Sequence, residues 1–286
     1  MKLPPHKQEV LKRITAELQQ LTGVEAIVLG GSYAAGLASD DSDLDIGIYY
    51  YEKAPFAIPE IRELAARYDQ QGLPTVTGLY EWGPWVNGGA WIQTKAGKVD
   101  LLYKNIDQVS TTIDLAGSGN WENHFEQQPP YGFSSLIFLG ETECCVPLYD
   151  PKGIIEKLKT AIRPYPPKLK EAVVRQSLWS AEFTIWQAEK FARQGDIYNT
   201  TGCLTRAVKN IVTALFSMNG LYPLGDKRAV GILEKSSIRP DALTDRIDEI
   251  LCARKDALPH HVSLLKQLFE DTVALTGGGY TPFYSL

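Results

Sequence analysis

Cysteine is scarce in this chain of 286 residues, and its four copies are not arranged for structure. Cys144, Cys145, Cys203 and Cys252 form no Cys-x-x-Cys pair. Adjacent cysteines rarely bridge each other, so the pattern argues against a disulfide scaffold and against a thiolate metal site. It predicts reduced thiols in a cytoplasmic protein. No run of eighteen apolar residues occurs, which excludes a membrane-crossing helix. Met1 to Val10 is polar and has no signal-peptide core. Internal repeats and low-complexity segments are missing as well. Basic charge is short in the first half. Residues 1–150 hold 10 Lys and Arg against 20 Asp and Glu, whereas residues 151–286 hold 19 against 14. With a net charge of −5, the chain lacks the basic surplus of a nucleic-acid binder. The 44% of hydrophobic residues provides core for one large domain or two modest ones.

The most informative stretch runs from Leu29 to Ile48. An apolar strand, Val24 to Leu29, ends in Gly30-Gly31-Ser32, and a short helix is expected from Tyr33 to Leu37. A second apolar strand, Leu44 to Tyr50, has Asp43 and Asp45 at its entrance. Alternate residues of a strand share a face, so the two aspartates project together while Leu44 and Ile46 turn to the core. Paired carboxylates repel and are costly to bury unless something neutralises them. A hard divalent cation does so, and Mg²⁺ favours carboxylate oxygens together with substrate phosphates. The glycines let backbone N–H groups approach a phosphate closely, with Ser32 at the start of the short helix.

Gly31-Ser32, ten intervening residues and Asp43-Leu44-Asp45 resemble the signature of the DNA polymerase beta-type nucleotidyltransferase superfamily. The resemblance implies an α+β chain whose N-terminal domain, residues 1–150, is a mixed sheet flanked by helices. It implies two Mg²⁺ ions as cofactors, an NTP (ATP) as donor and pyrophosphate release. It also implies a third carboxylate on a neighbouring strand. Asp100, in the strand Val99 to Tyr103, is the choice, and Glu81 is its rival. Asp43, Asp45 and Asp100 are thus the expected metal ligands and catalytic residues, with Gly31 and Ser32 on the nucleotide. A pairing of Asp100 with Lys98 or Lys104 is the plainer alternative.

In chain order, helical spacing predicts helices over Pro5–Leu21, Pro59–Gln70 and Asn105–Ala116. Alternation predicts a strand over Pro74–Trp82 and a hairpin of Ala90–Thr94 with Lys98–Tyr103. Phe133–Leu139 reads as a strand or a buried helical turn. His124 stands alone in a polar loop, as expected of an exposed residue. After Asp150-Pro151 the pattern turns helical, with long helices over Lys168–Gln194 and Asp196–Met218 and further ones over Leu243–Cys252 and Val262–Leu275. The Gly277-Gly278-Gly279 tail is expected to fray.

Residues 151–286 therefore read as a C-terminal helical bundle. It is similar to that of the kanamycin and related small-molecule nucleotidyltransferases, where it contacts acceptor and nucleotide. Trp82 to Trp91, Arg206-Ala207-Val208, Phe216 to Asn219 and Asp226 to Ala229 also resemble bacterial nucleotidyltransferase-domain proteins. The resemblance makes Lys227 and Arg206 candidate phosphate contacts. Glu182, between Ala181 and Phe183 on a helix, is the candidate general base, against a solvated carboxylate. The tryptophans Trp82, Trp85 and Trp91 are candidates for stacking on a ring, against core packing.

These readings lead to transfer of AMP onto the hydroxyl of a small molecule, an antibiotic among the candidates. The alternatives are nucleotidylation of a protein or RNA and a non-catalytic nucleotide-binding or antitoxin-like module.

Overall fold

The computed structural model describes residues 3–286. They divide into two compact units. The first takes the described residues up to Leu115 together with Trp121–Arg163, and the second takes Ala116–Asn120 and Pro164–Leu286.

The first unit opens with α1, Pro5–Leu18, started by proline in its first turn and turning Leu11, Ile14 and Leu18 inward. Gly23 follows with φ 89°, and a Cβ there would lie 2.6 Å from the Pro55–Phe56 backbone, so only glycine fits the turn. Then come β1 (Ala26–Leu29), α2 (Gly31–Ala34), β2 (Leu44–Tyr50), α3 (Ile58–Tyr68), β3 (Thr75–Val76), β4 (Gly89–Thr94) and β5 (Gly97–Asn105). After these run α4 (Ile106–Gly117), the short pair β6 (Asn123–His124) and β7 (Phe133–Ser134), α5 (Leu136–Cys144), β8 (Val146–Tyr149) and α6 (Ile154–Ala161).

Six strands form one sheet in the order β3-β4-β5-β2-β1-β8. β2 and β5 are parallel and the other neighbours antiparallel. β2 spans Leu44–Tyr50 as the sequence predicts, and all its residues are buried except Asp45, which is half-buried. One apolar core joins Ile27, Leu29, Ile46 and Ile48 of the sheet to the inward stripes of α1 and α3. This packing fixes β2 and so aims its first residues.

The expected strand over Pro74–Trp82 is cut to Thr75–Val76. Beyond it the chain turns: Tyr80 takes φ 60°, and Glu81 caps the bend by accepting from the Gly78 amide at 2.6 Å. Short-range alternation did not reveal that turn. Phe133–Leu139 resolves into β7 and the start of α5.

The second unit is helical: α7 (Pro167–Arg193), α8 (Ile197–Met218), α9 (Ala229–Leu233), α10 (Leu243–Leu251) and α11 (Leu258–Ala274). Asp196 caps α8, accepting from the Asn199 amide at 3.1 Å. Leu178, Ile185, Leu204, Ile211, Leu265 and Phe269 belong to its shared core.

Two expectations fail here, for one reason. The C-terminal tail is tied back to the bundle, and Glu182 is buried against it instead of facing an open cleft. Glu182 is wholly buried. The Tyr280 hydroxyl and the Tyr284 amide both donate to its carboxylate. Burial, followed by this contact, raises the Tyr280 pKa, which keeps the phenol a donor. Glu182 is therefore a clasp for the tail and not a base. Glu182→Ala should leave a buried phenol and a backbone N–H without an acceptor, costing about 2–4 kcal/mol in urea unfolding. Protease should then trim the tail first, and Glu182→Gln should lose less.

Candidate active site

The site is built at one end of β2. The Gly30 amide donates to the Asp45 carbonyl at 2.8 Å, which draws the turn after β1 against the strand. Gly31 then begins α2 with φ 56°. A Cβ on Gly31 would stand 1.7 Å from Asp45 Oδ2, so a side chain there would occupy the space of the carboxylate. Ser32 follows in α2 and is half-buried. The loop between α2 and β2 is pinned from α1 by Lys7, itself buried. Its ammonium donates to the carbonyls of Asp40 at 2.8 Å and Ser42 at 2.5 Å. A lysine in the first turns of a surface helix gives no sequence signal of this role.

Parallel pairing sets Asp45 directly beside Asp100 of β5. Asp43 precedes the strand by one residue, with its side chain 42% exposed, against 14% for Asp100. Lys98 lies two residues before Asp100 on the same face of β5. Its ammonium donates to Asp100 Oδ2 at 2.9 Å and Asp43 Oδ2 at 3.2 Å. Burial disfavours the Lys98 ammonium, but hydrogen bonds and charge from Asp100 and Asp43 outweigh it and raise the pKa. Asp45 is pushed up to about 6 by burial first and then by the charges of Asp100 and Asp43, with Lys98 opposing and Glu141 adding to the rise. Glu141, on α5, is held by Lys104 at 2.5 Å. Glu141 was not visible as part of this neighbourhood in the sequence, and Lys104, a candidate partner of Asp100 there, pairs with Glu141 instead.

Among the described residues, no three His, Cys, Asp or Glu side chains converge to hold a metal as they stand, and the Lys98 ammonium lies between two of the carboxylates instead. The donor chemistry nonetheless suits a hard divalent ion. Two of the three carboxylates share one ammonium, the oxygens are of the type such ions prefer, and burial together with the charges of Asp100 and Asp43 disfavours the Asp45 carboxylate. Asp43, Asp45 and Asp100 would hold it. Glu81, the rival third ligand, is an exposed turn cap outside the strands.

The same row continues onto β4, where Trp91 faces Asp100 across the antiparallel pair. Trp82 stacks on Trp91 with ring centroids 4.2 Å apart and is 44% exposed. Trp85 belongs elsewhere, packed with Phe133, Phe138 and His124. His124 also contacts Glu122 at 3.0 Å.

Arg206 and Lys227 are exposed residues of the second unit, on α8 and on the loop after it. Beside them is a lysine that sequence reading passed over. Lys209, one turn along α8 from Arg206, has its pKa lowered by burial, with the charge of Asp226 opposing.

Residues 11–81 match the family model described as nucleotidyltransferase domain, the segment that contains Gly31, Asp43 and Asp45. That match covers the glycine turn and both aspartates at the entrance of β2, and it supports nucleotidyl transfer as the chemistry of this domain. A second model, a domain of unknown function (DUF4037), matches residues 140–227. No curated protein matches the chain. Among solved structures, it is similar to a nucleotidyltransferase-like protein from Exiguobacterium sibiricum. That likeness has 9% identity, 96% coverage of this chain and 78% of that one, and a TM-score of 0.45. It is also similar to a CCA-adding enzyme in complex with ATP, at 11% identity, 96% and 84% coverage, and a TM-score of 0.29. Both likenesses are distant and carry nothing about the acceptor.

The crowding at Asp45 has a cost that can be measured without metal. The folded state holds the Asp45 proton up to about 6, above the ordinary 3.8. Between those values the folded state binds more protons than the unfolded one, so stability should fall as pH rises through that window. Asp45→Asn should remove this component and raise the stability of the metal-free protein at pH 7 by about 1–3 kcal/mol. Urea unfolding at pH 5 and pH 7 measures it.

Proposed function

We propose that the protein moves AMP from ATP to a hydroxyl of a small molecule with Mg²⁺ as cofactor, releasing pyrophosphate. The observation that supports this best is the parallel register of Asp45 with Asp100 beside Asp43, at the end of a glycine turn. In the reaction the acceptor oxygen bonds to the α-phosphorus, the bond to the pyrophosphate oxygen breaks, and the acceptor hydroxyl loses its proton. Transfers of this type depend on positioning and charge neutralisation more than on covalent chemistry. When bound, two Mg²⁺ ions supply charge neutralisation at the attacking and leaving oxygens.

The residues divide the work as follows. Asp43, Asp45 and Asp100 would hold the metal ions, which would supply positive charge to the phosphates and to the acceptor oxygen. The Gly30-Gly31-Ser32 turn offers its backbone to the phosphates. Lys227 and Arg206 contribute charge to the triphosphate. Residues 1–150 supply the transfer site and residues 151–286 the part that contacts acceptor and nucleotide. The reaction is placed in the cytoplasm, where nucleotides are abundant. Glu182 has no part in it. The acidic surplus of the first half favours a small, uncharged or cationic acceptor over a nucleic acid. The exposed face of Trp82, stacked on a residue opposite Asp100, suits an acceptor with a ring.

Calorimetric titration of ATP with Mg²⁺ should give binding in the wild type that Asp43→Asn abolishes while the circular dichroism spectrum is unchanged. Equal binding by both proteins would contradict the reading. Once pyrophosphate release identifies an acceptor, Trp82→Ala should raise its KM about tenfold with kcat changed less, the loss of roughly 1–1.5 kcal/mol of stacking. A fall in kcat alone would remove the ring from the argument.

A further inference from the structure

We infer that Lys98 is a resident counter-cation, which holds Asp43 and Asp100 in place until metal-bound nucleotide displaces it. The inference rests on the nucleotidyl-transfer reading above and concerns the order in which the site is filled.

The geometry carries it. One ammonium reaches Oδ2 of both Asp43 and Asp100, at 3.2 and 2.9 Å. These two side chains come from different segments, the α2–β2 loop and β5, so Lys98 ties the loop to the sheet. The other lysines nearby are committed elsewhere. Lys104 is bonded to Glu141 and Lys7 to the Asp40 and Ser42 carbonyls. Lys98 pairs with two members of the carboxylate trio, Asp43 and Asp100, and its charge also acts on the third, Asp45. Without it Asp43, Asp45 and Asp100 would repel one another, and the exposed Asp43 would be the one able to swing away.

An ammonium and a divalent ion held against the same carboxylate oxygens repel each other at that separation, which disfavours their joint occupancy. A metal ion arriving alone must therefore evict a cation already paired. A metal ion arriving on a triphosphate brings anionic oxygens, which give the released ammonium a new partner. Lys98 is on a long flexible stem and one-third exposed, so it can make that move. The consequence is coupling: metal and nucleotide each strengthen the binding of the other, and Lys98 is a positioning residue through which they do so.

The test uses Mn²⁺ as the probe ion, titrated into the full chain by electron paramagnetic resonance with and without ATP. Wild type, Lys98→Met, Lys98→Gln and Lys98→Arg are compared. Removing the charge should tighten binding of Mn²⁺ alone about tenfold, because solvent and salt screen a partly exposed pair. ATP should then strengthen Mn²⁺ binding less in Lys98→Met and Lys98→Gln than in the wild type. Lys98→Arg should behave as the wild type. Metal-free Lys98→Met should melt at a lower temperature than the wild type and regain the difference when Mn²⁺ is added. If wild type binds Mn²⁺ with ATP but neither neutral variant binds Mn²⁺ alone more tightly, the displacement is overturned and the transfer reading stands. If no protein in the set binds Mn²⁺ with ATP, both fall together. A neutral variant that fails to fold even with Mn²⁺ present would also overturn the displacement, because it would make Lys98 a permanent strut.

Discussion

Like charges crowded at the start of β2 are the constraint around which this protein is arranged. Asp43, Asp45 and Asp100 lie within one small region, and burial first, then the charges of Asp100 and Asp43, make Asp45 resist ionising. Such a cluster would open if the backbone allowed it. The backbone does not, because β2 is the buried centre of a six-stranded sheet. Apolar contacts from α1 and α3 hold the strand. Lys7 holds the loop before it and Lys98 bridges across. Burial of the core thus pays for an electrostatically unfavourable site, which is a familiar relation between stability and function.

The glycine turn belongs to the same constraint. Gly31 stands so close to Asp45 that the carboxylate fills the volume a side chain would need. The glycine turn and the Asp45 carboxylate are therefore one piece of geometry, fixed by the hydrogen bond from the Gly30 amide to the Asp45 carbonyl. In the second unit a different buried carboxylate, Glu182, performs purely structural work by clasping the tail. The two cases show how partners decide what a buried acid does. Glu182 meets two donors, whereas Asp45 feels three other acids, Asp100, Asp43 and Glu141, against one ammonium, Lys98.

Much of the first unit was legible because its signals are local. β2 is an apolar run after Asp43 that only Asp45 and Gly47 interrupt, and the apolar stripes of the long helices in the second unit repeat at helical spacing. The pairing of Asp45 with Asp100 joins residues 55 apart in a parallel register, which no local pattern announces. The superfamily resemblance named Asp100, and the register explains why it can serve. Lys98 was visible as an ion-pair partner of Asp100 but not as a bridge to Asp43, since that contact depends on the sheet closing. Glu182 misled for the same reason: its donors lie 98 and 102 residues away, in a tail whose glycines suggested fraying. The strand expected over Pro74–Trp82 failed because a left-handed Tyr80 and the Glu81 cap make a turn that strand-forming residues disguise.

The most direct test of the central claim is anomalous diffraction from crystals grown with Mn²⁺ and a non-hydrolysable ATP analogue. The account predicts two anomalous peaks about 3.5–4 Å apart, coordinated by Asp43, Asp45 and Asp100, with the Lys98 ammonium withdrawn from both carboxylates. Nucleotide bound with no metal at these residues, or metal held by other ligands, would contradict it.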